Sequence, residues 1–194
     1  MRKILFLYLL SVAYTVQAQE NMHPSPVQDH PILIKNATIH TGNGTVIENG
    51  YIFFDKGNST GGWQYLEAAP NDQSAGIEWG CNGTSINGTQ LTIGSGENNS
   101  VLIVAGCNDA NFAAKLCDNL VLSGQSDWFL PSRDELYLMY KNLHLNNQGN
   151  FTTVYWSSTE MNATQAFYFH FIDGTGTSTS QKASTANVRA VRTF

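Results

Sequence analysis

Residues 127–140 read Asp-Trp-Phe-Leu-Pro-Ser-Arg-Asp-Glu-Leu-Tyr-Leu-Met-Tyr, and this stretch decides the fold because it predicts where a helix begins. Ser132 is a favoured N-cap residue, and Glu135 stands three positions later. This spacing predicts a capping box, in which the Ser132 hydroxyl accepts the Glu135 amide N–H and the Glu135 carboxylate accepts the Ser132 amide N–H. Pro131 disfavours a helix that runs in from upstream. We therefore expect a helix to start at this junction.

Apolar residues on both sides of the junction predict how it packs. One face of the expected helix carries a stripe at helical spacing: Leu136, Met139, Tyr140 and Leu143. Three bulky apolar residues stand just upstream: Trp128, Phe129 and Leu130. None of these residues brings reactive chemistry. The stretch therefore predicts a buried structural nucleus.

The start of the chain and its composition indicate an exported protein. Arg2-Lys3, a following apolar run and Val16-Gln17-Ala18 predict a signal peptide at residues 1–18, cleaved after Ala18. The apolar run of about a dozen residues is shorter than the roughly 20 that a membrane span needs, so we expect no span after cleavage. Loss of Arg2 and Lys3 changes the net charge from −5 to −7, which argues against nucleic acid as a partner. We expect a secreted, periplasmic or cell-surface protein.

The order of elements predicts an α+β domain. Residues 19–46 form a proline-containing polar leader, and residues 47–194 form the domain. Hydrophobic patterning predicts strands over 51–54, 63–69, 152–157, 165–171 and 187–193, with a short piece at 77–80. It also predicts helices over 101–105, capped by Ser100, and over 110–119, capped by Asn108 or Asp109. Helices beside a mostly antiparallel sheet follow from this order.

Two strands allow a prediction about their buried faces. Phe167, Phe169 and Phe171 alternate along the strand over 165–171, so we expect them to form its core face. In the last strand both faces carry apolar residues and an arginine, so the pattern does not name the buried side. We expect Arg192, near the strand end, to lie in solvent.

Three cysteines in an exported chain allow one disulfide. Cys107 and Cys117 flank or share a predicted helix, which would hold them roughly 12–15 Å apart. A disulfide needs Cα atoms within about 7 Å, so Cys81 is the better partner for either. We favour Cys81–Cys107, with Cys117 buried on the apolar face of its helix.

Several motifs in order resemble a known bacterial family. They are Gly62-Trp63 to Pro70, Glu78-Trp79-Gly80-Cys81, Ala113 to Asp118, Ser126 to Leu136, Tyr155 to Glu160 and Val188 to Arg192. Over roughly residues 47–194 they resemble the C-terminal domain of the Legionella collagen-like adhesin. The resemblance implies a C-type-lectin-like fold, also used by formylglycine-generating enzymes, with two main helices against a twisted sheet and long loops. It also implies an exported or surface protein, and the named relative adheres to host glycans.

We predict a non-catalytic binding or adhesion module that recognises carbohydrate or a surface partner. Loops on a rigid scaffold carry recognition, so we expect the site in the loops at 157–164 and 172–186. The candidate ligand-binding residues are Trp79, Glu160, Asn162, Asp173, Thr175 and Lys182. Trp79, in the long loop, is the best candidate for stacking on a sugar ring. The alternative is a structural cell-surface domain without a small ligand.

Catalysis, metal binding and cofactors are not predicted. The pattern G-x-S-x-G occurs at residues 57–61, but it lies in a turn between two predicted strands and not at the strand-to-helix elbow that a hydrolase needs. The histidines lack metal-ligand spacing. Formylglycine-generating enzymes keep a cysteine pair late in the chain, whereas no cysteine follows Cys117 here. The Glu-Pro-Asn and Trp-Asn-Asp triplets of calcium-binding lectins do not occur, and loop acids such as Asp55 and Asp72 are typical of turns.

Overall fold

A computed structural model describes residues 50–176 and 178–194. The predicted signal peptide and leader lie outside these residues. The described strands are β1 Tyr51–Asp55, β2 Tyr65–Ala68, β3 Ser74–Glu78, β4 Val154–Asn162, β5 Gln165–His170, β6 Thr179–Gln181, β7 Thr185–Val188 and β8 Val191–Thr193. The helices are α1 Gly96–Gly106, α2 Ala113–Asp118 and α3 Arg133–Asn142, followed by a 3₁₀ turn at His144–Asn146.

The strands form two sheets. The smaller has the order β1-β2-β8 and is antiparallel throughout. The larger has the order β3-β7-β4-β5-β6, in which the β4–β7 pair is parallel and the other pairs are antiparallel. Helices beside mostly antiparallel sheets confirm the predicted α+β class.

The capping box at the start of α3 is confirmed. Ser132 Oγ accepts the Glu135 N–H at 3.3 Å, and Glu135 Oε2 accepts the Ser132 N–H at 2.8 Å. Three members of the predicted apolar stripe, Leu136, Met139 and Leu143, are fully buried as expected. The fourth, Tyr140, is only half-buried. This helix is therefore fixed at its first turn by polar contacts and along its length by packing.

The apolar run before the capping box is shared between two hydrophobic cores. Trp128 and Leu130 pack into the first core, with α1 and α2, whereas Phe129 packs into the second, with α3. β4 repeats this division, since Trp156 enters the first core and Tyr155 the second. Successive side chains of extended backbone point to opposite sides, so each segment ties the two cores together.

The larger sheet is covered on both faces, and this corrects the prediction for β5. Phe169 and Phe171 are buried in the second core as expected, but Phe167 is only partly buried and belongs to neither core. Ala166, on the opposite face, is fully buried in the first core. The predicted alternation of faces along β5 is confirmed. The expectation of one buried face fails because both faces of this strand are covered.

The last predicted strand is two strands in two different sheets. β7 pairs in the larger sheet, β8 pairs in the smaller one, and Arg189 and Ala190 cross between them. The expected solvent position of Arg192 is wrong, because its side chain is 5% exposed. It pairs with Glu67 at 3.2 Å and with Asp127 at 2.9 Å. These partners lie far away in sequence, so the local pattern does not reveal them.

The helix starts upstream of α3 were also predicted wrongly. α1 begins at Gly96 rather than at residue 101, and α2 begins at Ala113 rather than at residue 110. Ser100 does not cap a helix; its hydroxyl accepts the Leu130 N–H at 2.9 Å. Asp109 accepts the Cys81 N–H at 2.7 Å instead of capping α2. Both side chains accept a backbone N–H, as a cap residue does, but the N–H belongs to a residue that is distant in sequence.

Candidate functional site

A row of aromatic residues that is partly open to solvent runs between α3 and β5. The capping box fixes the start of α3, so Tyr137 and Tyr140 follow on the side that faces β5. Tyr137 is 49% exposed, and its ring centroid lies 6.1 Å from that of Phe169. Tyr140 is half-buried and lies 5.3 Å from the same ring. Both tyrosine rings therefore pack against the buried Phe169 ring.

Phe167 and Arg133 extend this row. Phe167 lies two residues before Phe169 on the same side of β5, where its ring is partly exposed. The Arg133 guanidinium carbon lies 5.7 Å from the centroid of the Phe167 ring, within the range of a cation–π contact. We name Arg133, Tyr137, Tyr140, Phe167 and Phe169 the aromatic face.

The turn after β5 closes one end of the aromatic face. A Cβ placed on Gly174 would lie 2.7 Å from the Tyr140 hydroxyl, and a Cβ on Gly176 would overlap the Phe169 ring. Both glycines therefore allow the turn to approach the aromatic rings closely. The turn brings two predicted site residues, Asp173 and Thr175, to the border of the face.

Polar groups border the aromatic face at both ends. Arg133 places Nε and Nη2 on Asp134 Oδ1 at 2.9 and 2.8 Å. Asp173 is 56% exposed, and its Oδ1 accepts the Thr175 hydroxyl at 2.7 Å and the Thr175 N–H at 3.0 Å. These Thr175 hydrogen bonds lower the pKa of Asp173, so its carboxylate is charged at neutral pH. The face therefore combines apolar rings with exposed hydrogen-bonding groups.

Three other predicted site residues come together, but inside the protein. Lys182 Nζ lies 2.6 Å from Glu160 Oε1 and 4.5 Å from the centroid of the Trp79 ring. Trp79 is 0% exposed, and its Nε1–H donates to Ser157 O at 2.8 Å. The expected surface position of Trp79 is wrong, because its indole ring is buried in the first core. We name Trp79, Glu160 and Lys182 the loop clamp.

The loop clamp holds the long segment between β3 and α1. Lys182 Nζ donates to Thr84 O at 2.8 Å, and Glu160 Oε1 accepts the Ile86 N–H at 2.7 Å. Glu160 also donates its own N–H to Thr89 Oγ1 at 3.0 Å. Each charged group of the pair is thus hydrogen-bonded to the backbone of this segment as well as to its partner. Glu160 and Lys182 therefore act as structural anchors of this segment, with side chains that are 7% and 0% exposed. Their expected role in ligand binding stays a prediction.

Asn162 is separated from Asp173 by the length of β5. It ends β4, and its Oδ1 accepts the N–H groups of Thr164 and Gln165, both at 2.9 Å. Residues 157–162, expected as loop, are strand. The six residues of β5 span about 20 Å, so the two predicted site loops border opposite ends of one strand.

The disulfide prediction is confirmed. Cys81 and Cys107 are bonded, with their Cα atoms 5.4 Å apart. Cys117 is a buried free thiol, and burial raises its pKa far above the ordinary value. Across residues 50–176 and 178–194, one group of three candidate metal ligands occurs, formed by Cys81, Cys107 and Asp109. Two of its sulfur atoms are joined in the disulfide and are not available as thiolates.

Sequence reasoning missed the most exposed part of the aromatic face. The position of Tyr137 outside the apolar stripe of α3 could have revealed it. An aromatic residue outside the buried stripe of a helix is expected to face solvent. Phe167 was assigned to the core because its strand was treated as covered on one side. Arg133 was not distinguished from an ordinary first-turn residue.

Comparison with solved structures shows a likeness in fold. The chain resembles a fimbrial protein from Bacteroides ovatus ATCC 8483, with a TM-score of 0.52 and 13% sequence identity. The match covers 83% of this chain and 49% of that protein, so the chain spans about half the length of this structural relative. In the described part of the chain, no helix has the length and apolar character needed to cross a membrane.

Comparison with sequences identifies the family. A search of curated proteins gave no significant match. The family model described as the Lcl C-terminal domain matches residues 69–192, which is well over half of the chain. This match covers the capping box, the loop clamp and the aromatic face. The chain belongs to the Lcl C-terminal domain family.

Proposed function

We propose that this chain is an exported surface or adhesion module that binds carbohydrate through the aromatic face. The observation that carries the proposal is the Tyr137 ring, half-exposed and supported from below by Phe169. A sugar ring offers an apolar C–H face and a rim of hydroxyl groups. An exposed aromatic ring suits the first, and hydrogen-bonding groups at its border suit the second.

The border supplies groups that can bond hydroxyls in either direction. Asp134 and Asp173 offer carboxylate oxygens, and Arg133 offers N–H donors from a guanidinium that is 27% exposed. Each side chain already has a protein partner, Asp134 for Arg133 and Thr175 for Asp173. Such partners hold a side chain in place before a ligand arrives, which reduces the entropy lost on binding.

The charge of the face favours a neutral sugar over a sulfated one. Arg133 is compensated by Asp134, and the exposed Asp173 adds a negative charge. The mature chain as predicted is also acidic. A polyanion would meet repulsion rather than attraction here. Membership in the Lcl C-terminal domain family supports a surface role, and the C-type-lectin-like arrangement remains part of the proposal.

A glycan array probed with residues 19–194 tests this function. We expect binding to neutral glycans and a loss of about tenfold in affinity for Tyr137→Ala, because the variant loses the stacking surface. Val101→Ala is the matched control, since Val101 is an exposed apolar residue on α1 and should not affect binding. Binding that survives in Tyr137→Ala at full strength would contradict the proposed site.

The same array separates this proposal from its alternative. A structural surface domain without a small ligand would bind no glycan of any charge class. If the folded chain binds neither neutral, acidic nor basic glycans, the carbohydrate proposal fails and the structural role is favoured.

A further inference from the structure

The tripeptide Asn-Gly-Thr occurs twice in the segment between β3 and α1. Asn82 and Asn87 are both exposed, and each is followed by glycine and threonine. Gly83 and Gly88 have positive φ angles of 91° and 96°. The two positions thus share their sequence, their exposure and the φ region of their glycines. They form a matched pair within one chain.

The two glycine amides differ in one respect. The Gly83 N–H donates to Ala163 O at 2.9 Å. Within residues 50–176 and 178–194, no hydrogen-bond acceptor is found for the Gly88 N–H. The turn Asp173-Gly174 resembles the first case, since the Gly174 N–H donates to His170 O at 2.9 Å. Asn87 is therefore followed by a glycine nitrogen that is not engaged.

We infer that Asn87 is a site of spontaneous deamidation and that Asn82 is protected from it. In this reaction the Gly88 nitrogen attacks Asn87 Cγ and forms a new N–C bond. The Cγ–Nδ2 bond breaks, and Nδ2 leaves as ammonia with the proton given up by the Gly88 N–H. Water then opens the cyclic imide to aspartate or isoaspartate, so water is the one co-reactant.

The hydrogen bond at Gly83 explains the expected difference in rate. Glycine has no Cβ, so its nitrogen can approach the neighbouring side chain at either position. An N–H that donates to a carbonyl must give up that bond before its nitrogen can react. The net worth of one hydrogen bond makes the reaction at Asn82 about fivefold slower.

Deamidation at Asn87 would act on the loop clamp. Asn87 lies between Ile86 and Thr89, which are both hydrogen-bonded to Glu160. Aspartate would add a negative charge to the segment that Glu160 holds, and isoaspartate would lengthen the backbone of the turn. Either product weakens the attachment of this loop segment.

Peptide mapping by mass spectrometry tests the inference. The purified mature chain is incubated at mildly alkaline pH, folded and in urea, and the conversion of Asn82 is compared with that of Asn87 over time. The third Asn-Gly-Thr tripeptide of the chain, at residues 43–45, is followed separately. We expect Asn87 to convert about fivefold faster than Asn82 in the folded chain. In urea the two rates should converge, because the reacting tripeptides are identical. Asn87→Gln is the control that should remove the faster signal.

Three results would overturn the inference. They are equal rates in the folded chain, faster conversion at Asn82, and no conversion at Asn87 in folded protein under conditions where both positions convert in urea.

Discussion

The loop clamp and the aromatic face use similar side chains for opposite purposes. Both place an aromatic ring beside a cation that is paired with a carboxylate. The clamp has Trp79 with Lys182 and Glu160, and the aromatic face has Phe167 with Arg133 and Asp134. In the clamp the aromatic ring and the ammonium are fully buried and bonded to neighbouring chain. On the aromatic face the Tyr137 ring is half in solvent. Burial, rather than residue type, separates an anchor from a recognition surface.

The largest expected difference in folding stability comes from breaking the clamp. Lys182→Met removes one partner of an enclosed ion pair and leaves the Glu160 carboxylate unpaired, so the free energy of unfolding should fall by about 4 kcal/mol. Chemical denaturation measures this change. Lys115→Met is the control, because the Lys115–Asp118 pair is exposed and should contribute less than about 1 kcal/mol. Similar losses in the two variants would remove the distinction between the clamp and a surface pair.

A second prediction concerns Glu135, which holds the starts of both α1 and α3. Its carboxylate accepts the N–H groups of Ser132, Gly94 and Gly96 at 2.8, 2.7 and 3.3 Å. Burial outweighs these hydrogen bonds and raises the pKa of Glu135 from 4.5 to about 7. Folding therefore favours the protonated form. The stability from this group is full below about pH 4.5 and is lost as the pH rises through about 7.

The measurement is the free energy of unfolding between pH 4 and pH 8, roughly the window set by these pKa values. Across that window, the wild type should lose about 3 kcal/mol relative to Glu135→Gln, which cannot titrate at this position. Parallel pH profiles for the two proteins would show that Glu135 does not titrate in this window. Glu135 belongs to neither the loop clamp nor the aromatic face. This test therefore measures the stability of the junction between α1 and α3.

Gly96→Ala should have an intermediate effect. A Cβ at Gly96 would overlap Glu135 Oε2 and lie 2.9 Å from the backbone nitrogen of Ser132. Overpacking at this fixed junction should destabilise the protein by about 2 kcal/mol, measured by thermal or chemical unfolding. Gly76→Ala is the control, because the nearest atoms to a Cβ there are 3.8 Å away. Equal stability of the two variants would contradict the close packing at the capping box.

Tyr137→Ala should have the smallest effect on folding. The ring is half-exposed, and its contact with Phe169 at 6.1 Å contributes about 1 kcal/mol or less. The variant should therefore remain folded at ambient temperature, as circular dichroism and unfolding curves would show. A loss as large as that of Lys182→Met would mean that Tyr137 is a core residue and not part of a recognition surface.

The sequence predicted what depends on local pattern. The capping box at Ser132 follows from two residues at fixed spacing, and the buried stripe of α3 follows from helical periodicity. The separation of Cys107 and Cys117 along a helix argues against a bond between them and makes Cys81 the better partner for either, and the structure pairs Cys81 with Cys107. In each case, the deciding contacts lie within a short segment or follow from the geometry of one element.

The sequence did not predict what depends on distant partners. Arg192 is enclosed because Glu67 and Asp127 come to it from other parts of the chain. Trp79 and Lys182 meet only because β3 and the segment before β7 lie side by side. The same limit applied to the candidate site, where residues expected to share one surface were divided between the interior and the two ends of β5.

Mapping a bound neutral sugar by protein NMR tests the central claim most directly. If the aromatic face binds the ligand, backbone amide shifts should concentrate at residues 133–140, 166–170 and 172–176. The amides of residues 79–89, which the loop clamp holds, should remain unchanged. Shifts confined to residues 79–89 and 160–164, with none along α3, would contradict the account.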